Sequence, residues 1–379
     1  MKNYHLLCGI MAGIYIHIPF CKKRCSYCDF FSSTENNRKK RYVKALCEEL
    51  QERKAYLNDE PVETVYFGGG TPSQLSFIDF AKIFDTLYST YGENENREVT
   101  LEANPDDVTC DYLPIVKFFP FNRISLGVQS FDDSELKLLN RRHDAQSAIR
   151  AVKLLQQAKY DNISIDLMYG LPGQNLKTWK KTLRQAIDLQ VQHISAYHLT
   201  YEGGTSLYKQ LEEGNLTPID EEMSNRLFEL LIDTLTVAGF EHYEISNFAR
   251  PGFQSRHNSS YWNGTYYLGV GASAHSYDGF SRRWNNKILK PDYWTSGYEI
   301  ETLDWKMKYN DFVITRLRVM KGMSLNELAL LFGDPQKTYC LQQAQKYIAN
   351  GLLQSEDNCL RLTRKGIFIS DAIMRDLMV

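Results

Sequence analysis

Six short apolar segments alternate with amphipathic stretches over the first 200 residues, and this alternation restricts the fold of the 379-residue chain more than any other feature. The strand-like segments are 13–18, 63–67, 98–102, 123–129, 162–168 and 193–199. The helix-like ones are 38–57, 77–91, 145–158 and 176–189, with a weaker stretch at 112–119 that Pro114 interrupts. Strands alternating with helices predict parallel βα units, and right-handed crossovers coil such units into an open sheet or a partial barrel. Five strands end in an unusual group: the cysteine loop 21–28, Gly68-Gly-Gly-Thr-Pro72, Leu101-Glu-Ala-Asn-Pro105, Gly127-Val-Gln-Ser-Phe131 and Ile165-Asp-Leu-Met-Tyr-Gly-Leu-Pro172. In parallel βα folds the loops at the C-terminal strand ends converge. Five such groups in register predict one site.

The loop after the first strand reads Cys21-Lys-Lys-Arg-Cys25-Ser-Tyr-Cys28. Three thiolates on one tight loop suit three corners of a [4Fe-4S] cube. A protein normally supplies four cysteines, and Cys8, Cys47, Cys110, Cys340 and Cys359 lie in no matching position. A cube held by three thiolates keeps one iron open for a small ligand, which points to catalysis. A disulfide scaffold does not fit a chain of this size with unpatterned cysteines. The serious competitor is zinc, with His17 or Asp29 as fourth ligand, but zinc motifs usually come as two pairs and no second pair exists.

The other strand ends carry polar chemistry. Gly68-Gly-Gly-Thr-Pro72 lacks the spacing of a dinucleotide fingerprint and the Gly-Lys-[Ser/Thr] ending of a P-loop. Its glycines would let backbone approach a compact amino-acid moiety, or simply make a tight turn. Glu102 could accept two hydrogen bonds from a ribose diol, or cap the next helix. Gln129 donates and accepts, whereas Asp166 only accepts. An unpaired Asp166 in an apolar strand is costly to bury, so its plainer reading is an ion pair with Arg123 or Arg141. Arg141-Arg142-His143 suits a ligand carboxylate, or a solvated helix start. His257, beside Tyr261 and Trp262, and His275 could ligate or stack on a flat macrocycle; for either one, a satisfied core histidine is the plainer reading.

A formal charge of −2 gives no general attraction to nucleic acid or anionic membrane. Free thiols imply a reducing, cytosolic setting. The first residues read as strand rather than export signal, with Met11 an alternative start, and no stretch approaches the ~20 apolar residues of a membrane span. After about residue 210 the alternation weakens. A helix at 221–238 and a strand at 240–246 are expected, then the aromatic, glycine-rich stretch 266–275. Residues 309–379 read as helices, 325–332 and 336–349, followed by a hairpin at 352–362 around Asp357-Asn358, an order like a winged helix. Segment 338–349 offers only Lys346 as a base-reaching cation, so a packing or partner-contact module fits better than DNA binding.

Taken together, the residues resemble the radical S-adenosylmethionine (SAM) superfamily and, within it, the oxygen-independent coproporphyrinogen III oxidase family, most closely its haem-chaperone branch. The likeness covers nearly the whole chain: Tyr15-Ile-His-Ile-Pro-Phe-Cys21, Gly68-Gly-Gly-Thr-Pro72, Leu101-Glu-Ala-Asn-Pro105, Leu126-Gly-Val-Gln-Ser-Phe131, Asp166-Leu-Met-Tyr-Gly-Leu-Pro172, His257-Asn-Ser-Ser-Tyr-Trp262 and Tyr267-Leu-Gly-Val-Gly-Ala-Ser-Ala-His-Ser276. The resemblance implies an α/β fold, a partial (β/α)6 barrel over 11–210. An α+β extension over 211–305 and a winged-helix-like module over 306–379 would follow. It implies that Cys21, Cys25 and Cys28 ligate a [4Fe-4S] cluster whose open iron takes the methionine group of SAM. Tyr15, Gly69 and Glu102 match positions that hold this SAM. Tyr27, Gly70, Thr71, Gln129, Arg141 and Asp166 match contacts of a second SAM in the oxidase, and His257 is the candidate haem contact. The cofactor would perform the hard step, radical cleavage of SAM, while the protein positions it and excludes water.

Two features favour the chaperone over the oxidase. The oxidase pattern places another cysteine two residues after the third ligand, where this chain has Asp29-Phe30, and the oxidase has a longer segment before the cysteine loop. The expected function is therefore a haem chaperone with a cluster and SAM; the alternative is SAM-dependent radical decarboxylation of coproporphyrinogen propionates. Expected partners are haem, an apo-haemoprotein acceptor and a protein reductant, with no nucleic acid. Membrane contact would be peripheral, through an acceptor, and the protein would be a monomer or dimer in the cytoplasm.

Overall fold

A computed structural model of the chain describes residues 12–379. The readings placed on residues 1–11, with Cys8 and Met11, lie outside the described residues. The six βα units begin with β1 (Ala12–Ile18), α1 (Lys39–Glu52), β2 (Val62–Gly69), α2 (Phe77–Tyr91), β3 (Glu98–Ala103) and α3 (Leu113–Phe118). They continue with β4 (Arg123–Gln129), α4 (Asp133–Leu138), α5 (Ala145–Gln157), β5 (Ile163–Tyr169), α6 (Leu176–Asp188), β6 (His193–His198) and α7 (Ser206–Glu212). β1 to β6 pair in sequence order, each parallel to the next.

The strands alternate in chemistry with a period of two, which separates two faces. Ile14, Ile16 and Ile18, Val65 and Phe67, Ile124 and Leu126, and Ile163, Ile165 and Leu167 are buried in the main core, together with Leu46, Phe80, Phe84, Val152, Trp179 and Leu183 of the helices. The opposite face carries Tyr15, His17, Thr64, Tyr66, Thr100, Glu102, Arg123, Ser125, Ser164 and Asp166. Strands buried on both faces usually read as continuous apolar runs; here the concave face is polar, and many of its side chains find hydrogen-bond partners there, as in Tyr15–His17, Thr64–His257, Tyr66–Glu102 and Ser164–His193. Helix starts are fixed locally. Ser76 and Asp79 form a capping box at α2, as do Asn175 and Thr178 at α6, while Asp144 caps α5.

Beyond α8 (Glu221–Val237), the chain lengthens the same sheet at both edges. β7 (Glu241–Glu244) and β8 (Asn247–Ala249) form a hairpin beside β6. The single strand expected over 240–246 is thus two, because the Glu244 carboxylate accepts the Ser246 N–H and the Asn247 amide and turns the chain. After α9 (Arg256–Asn263), β9 (Tyr266–Val270) runs parallel to β1, followed outward by β10 (His275–Tyr277), β11 (Ser281–Trp284) and β12 (Glu299–Thr302).

The remainder has its own core of Tyr309, Phe312, Leu328, Leu353, Leu360 and Ile373. It comprises α10 (Trp305–Leu317), β13 (Met323–Ser324), α11 (Leu325–Phe332), α12 (Asp334–Ala349), β14 (Leu353–Glu356), β15 (Cys359–Leu362), α13 (Arg364–Ile367) and α14 (Ser370–Leu377). The strands order as β13-β15-β14, and Asp357 and Asn358 take positive φ at the hairpin turn, as two-residue hairpins demand. The chain ends on α14 and not on the hairpin. Lys346 is tied to Asp376 at 2.5 Å. Arg316 fastens this module to α9, donating to the carbonyls of Trp262 and Asn263.

Candidate functional site

At the C-terminal ends of β1 to β6 a cavity of about 440 Å³ opens. Cys21, Cys25, Tyr27, Cys28, Gly69, Gly70, Thr71, Glu102, Gln129, Arg141 and Asp166 all line it. Tyr15 and His257, the two other expected residues, lie outside that wall. The five strand-end groups do converge.

The three cysteines are free thiols on one loop. Arg141 Nη1 donates to Cys25 Sγ at 3.1 Å and Thr71 Oγ1 to Cys21 Sγ at 3.5 Å. Donors aimed at sulfur suit thiolate ligands. Among the described residues, no three His, Cys, Asp or Glu side chains converge to hold a single metal ion. A cube makes no such demand, since each thiolate binds a different iron. Zinc also loses one of its two candidate fourth ligands: His17 Nε2 bonds the Phe31 carbonyl at 2.9 Å and Nδ1 the Tyr15 hydroxyl at 3.1 Å, whereas Asp29 is exposed on the cavity wall. Burial raises Cys21 and pushes Cys28 up to about 11. Metal loading at neutral pH must therefore release protons. The donor set fits a three-thiolate cluster.

Arg141 is the keystone of this wall. Its Nη2 donates to Asn104 Oδ1 at 2.5 Å and to the Gly127 carbonyl at 2.6 Å. Asn104 in turn donates to Thr71 at 3.2 Å. The solvated helix start considered for 141–143 does not form. Arg142 pairs with Asp106 at 2.7 Å, and buried His143 bonds the Val128 carbonyl at 3.0 Å. Asp107 was missed from the sequence. It gathers Lys22 of the cysteine loop (2.8 Å), Ser73 (2.9 Å) and Gln74 (2.7 Å) of the glycine turn, and Arg142 (3.2 Å). Burial raises its pKa, but these donors together bring it below the ordinary value. The signal was Asn104-Pro105-Asp106-Asp107, placed directly after a strand.

The glycines face protein. A Cβ on Gly69, whose φ is +108°, would lie 2.5 Å from the His17 ring. On Gly70 it would lie 2.8 Å from the Pro19 backbone, and on Gly68 2.9 Å from the rings of Tyr15 and Tyr66. The turn is glycine-rich because the side chains of β1 and β2 and the backbone at 18–20 pack directly upon it, a packing reason that stands beside ligand approach, since Gly69 and Gly70 also line the cavity.

Glu102 does not cap a helix. It accepts from the Tyr66 hydroxyl at 2.7 Å and the Gly69 N–H at 3.1 Å, and each oxygen retains a lone pair. Burial pushes it up to about 7. Burial likewise lifts Asp166 to about 6; it accepts from Ser125 at 3.4 Å, and among the described residues no ion pair joins it to Arg123 or Arg141. Gln129 sits at φ +67° where the β4–β5 register slips, a bulge that turns its side chain to the cavity.

The haem contact expected of His257 is corrected. The residue is 1% exposed, and its ring nitrogens bond Thr64 Oγ1 at 2.8 Å and the Tyr261 hydroxyl at 2.9 Å. Burial lowers it to about 3. It is a satisfied core histidine beneath Tyr66, on which it stacks at 5.0 Å. His275 is exposed on β10, which lies between β9 and β11, and is stacked on Trp284.

Comparisons with known proteins agree with this geometry. Residues 15–186 match the radical SAM superfamily model and 303–369 the HemN C-terminal domain model. The heme chaperone HemW of Mycobacterium tuberculosis is 32% identical, over 97% of this chain and 94% of its own length. The mouse radical S-adenosyl methionine domain-containing protein 1, mitochondrial, is 37% identical over 97% of this chain and 87% of its own. The structure of coproporphyrinogen III oxidase (HemN) from Escherichia coli superposes with a TM-score of 0.83 at 22% identity, covering 98% of this chain and 90% of that one.

Proposed function

The chain belongs to the radical SAM superfamily, in the family that joins HemW-type proteins to HemN-type oxidases, and from that premise we propose that it is a haem chaperone. In this reading it binds haem beside a [4Fe-4S] cluster with SAM and passes the haem to an acceptor haemoprotein. The observation that carries the reading is the end-to-end similarity to a protein named as a heme chaperone, at 32% identity. The oxidase shares 22%, a likeness of fold alone.

Cys21, Cys25 and Cys28 hold the cluster, which when bound supplies an open iron and a low-potential electron. Arg141 and Thr71 donate to two of the thiolates and fix their direction. Glu102, anchored by Tyr66 and Gly69, offers its remaining lone pairs to the SAM ribose. Tyr15, beneath the wall, keeps His17 and thereby the Gly69 turn in place. Tyr27, Gly70, Gln129 and Asp166 bound the rest of the cavity, where a second SAM would lie. The acceptor, a protein reductant and a cytoplasmic setting belong to the same reading. Among the described residues, no helix is long and apolar enough to cross a membrane.

The test is anaerobic. Reconstituted protein with SAM and reductant is offered haemin in one tube and coproporphyrinogen III in another. Stoichiometric haem uptake without porphyrinogen turnover is expected. Formation of protoporphyrinogen would replace the chaperone reading with the oxidase one.

A further inference from the structure

We propose that the cysteine loop and the start of α1 form the docking surface of an acidic, low-potential electron-carrier protein, the reductant of the reading above, on which this inference rests. Residues 22–44 carry eight Lys or Arg against two acids, Asp29 and Glu35, in a chain whose formal charge is −2. The rest of the chain is therefore net acidic. A local basic patch on an acidic molecule repels a broad anionic surface such as a bilayer and attracts a small anionic one.

The patch is held from below. Ser26 donates its N–H to the Leu139 carbonyl at 3.1 Å and its hydroxyl to the Leu138 carbonyl at 2.8 Å, and Asn140 donates to the Arg24 carbonyl at 2.8 Å. The Cys21 N–H bonds the Ser33 carbonyl at 2.9 Å, so the chain returns beside the loop on its way into α1. Lys39, in the first turn of α1, is close enough to Lys22 for the two charges to repel. The backbone is fixed while the charged ends are free. Lys23, Arg24, Lys40 and Arg41 are exposed, and among the described residues no hydrogen bond or ion pair engages their side chains.

The surface lies over the cluster ligands. Lys23 is two residues from Cys21 and two from Cys25, at most about 8 Å of chain from either. Phe30, 65% exposed, follows Cys28 by two residues and lines the cavity with Lys23 and Arg24. An exposed ring rimmed by charge has the anatomy of a protein contact, and transient redox pairs bury less than about 1,200 Å². A small-molecule reductant would have no use for the cations of α1. In the step proposed, one electron leaves the reduced flavin or iron–sulfur group of the carrier and arrives on the cluster; no bond forms or breaks.

Reconstituted protein with SAM is mixed anaerobically, in a stopped-flow cell, with flavodoxin hydroquinone, an acidic carrier, or with photoreduced 5-deazariboflavin, a neutral small molecule. The wild-type rate with flavodoxin is expected to fall about tenfold between about 50 and about 500 mM salt. Lys23→Glu with Arg24→Glu should slow that reduction about tenfold at low salt and remove most of its salt dependence. Lys40→Glu with Arg41→Glu should act in the same direction. Iron content and the rate with 5-deazariboflavin should stay as in wild type. Failure of flavodoxin to reduce wild type, or flavodoxin rates indifferent to these substitutions, would overturn the inference. So would variants that lose binding to phosphatidylglycerol vesicles while keeping their flavodoxin rate. Haem uptake is measured on the same preparations, and its absence from wild type would sink the chaperone reading while leaving the docking result to stand.

Discussion

Replacing Gly69 with Ala separates a glycine that serves packing from one that serves a ligand. Gly69 holds φ +108°, a region costly to any side chain, and its added Cβ would sit 2.5 Å from two atoms of the His17 ring. His17 cannot easily retreat, being 4% exposed and bonded through both nitrogens to Tyr15 and Phe31. Backbone strain costs about 1–3 kcal/mol and overpacking about 1–3 kcal/mol, so the variant should lose about 2–6 kcal/mol. That is a large part of the ~5–15 kcal/mol that holds a typical protein folded. The assay is urea unfolding of the metal-free protein, followed by far-UV circular dichroism. In the double variant with His17→Ala the steric part should return, giving a coupling of about 1–3 kcal/mol. An unchanged urea midpoint for Gly69→Ala, with SAM affinity alone reduced, would refute the packing account.

Glu102 stands near pKa 7 against an ordinary 4.5, chiefly through burial. Its folded state holds a proton that the unfolded chain has released, so its own contribution to metal-free stability falls as pH rises from about 4.5 to about 7. Subtracting the pH-dependent urea titration of Glu102→Gln from that of wild type should isolate this falling part, with a like-signed one from Asp166 present in both. Arg141→Met removes donors to Cys25, Asn104 and Gly127; denaturation should show a loss of about 2–4 kcal/mol, and anaerobic redox titration a more negative cluster potential. Arg316→Ala removes the bonds from α10 to the end of α9 and the pair with Glu327 at 2.8 Å. Limited trypsin digestion should then release the segment after residue 303 faster than in wild type, at a cost in stability of about 1–3 kcal/mol.

The six strands were legible because their apolar and polar residues alternate and each ends in a cluster of unusual residues. The cysteine loop, Glu102 and Asp166 were legible for the same reason. Expected boundaries such as 77–91 coincide with α2 because Ser76 and Asp79 cap it in sequence. What stayed hidden depends on distant partners. Helices α4 and α7, of 6 and 7 residues, are too short to show a period. Asp107 became visible as a clamp only once Lys22, 85 positions away, was beside it. His257 was misread because its motif, with aromatic neighbours, is the same for a ligand as for a buried hydrogen-bond relay. The alternation of β5, Ile163-Ser-Ile-Asp-Leu, already announced a polar concave face, in which Asp166 is one of a set and not an intruder.

The most direct measurement is Mössbauer spectroscopy, with iron and sulfide analysis, on protein reconstituted without oxygen. The account predicts about four irons and four sulfides per chain, with one iron whose signal changes when SAM is added, and loss of the cluster when Cys21, Cys25 or Cys28 becomes Ala. A single tetrahedral zinc, or a cluster indifferent to SAM, would contradict it.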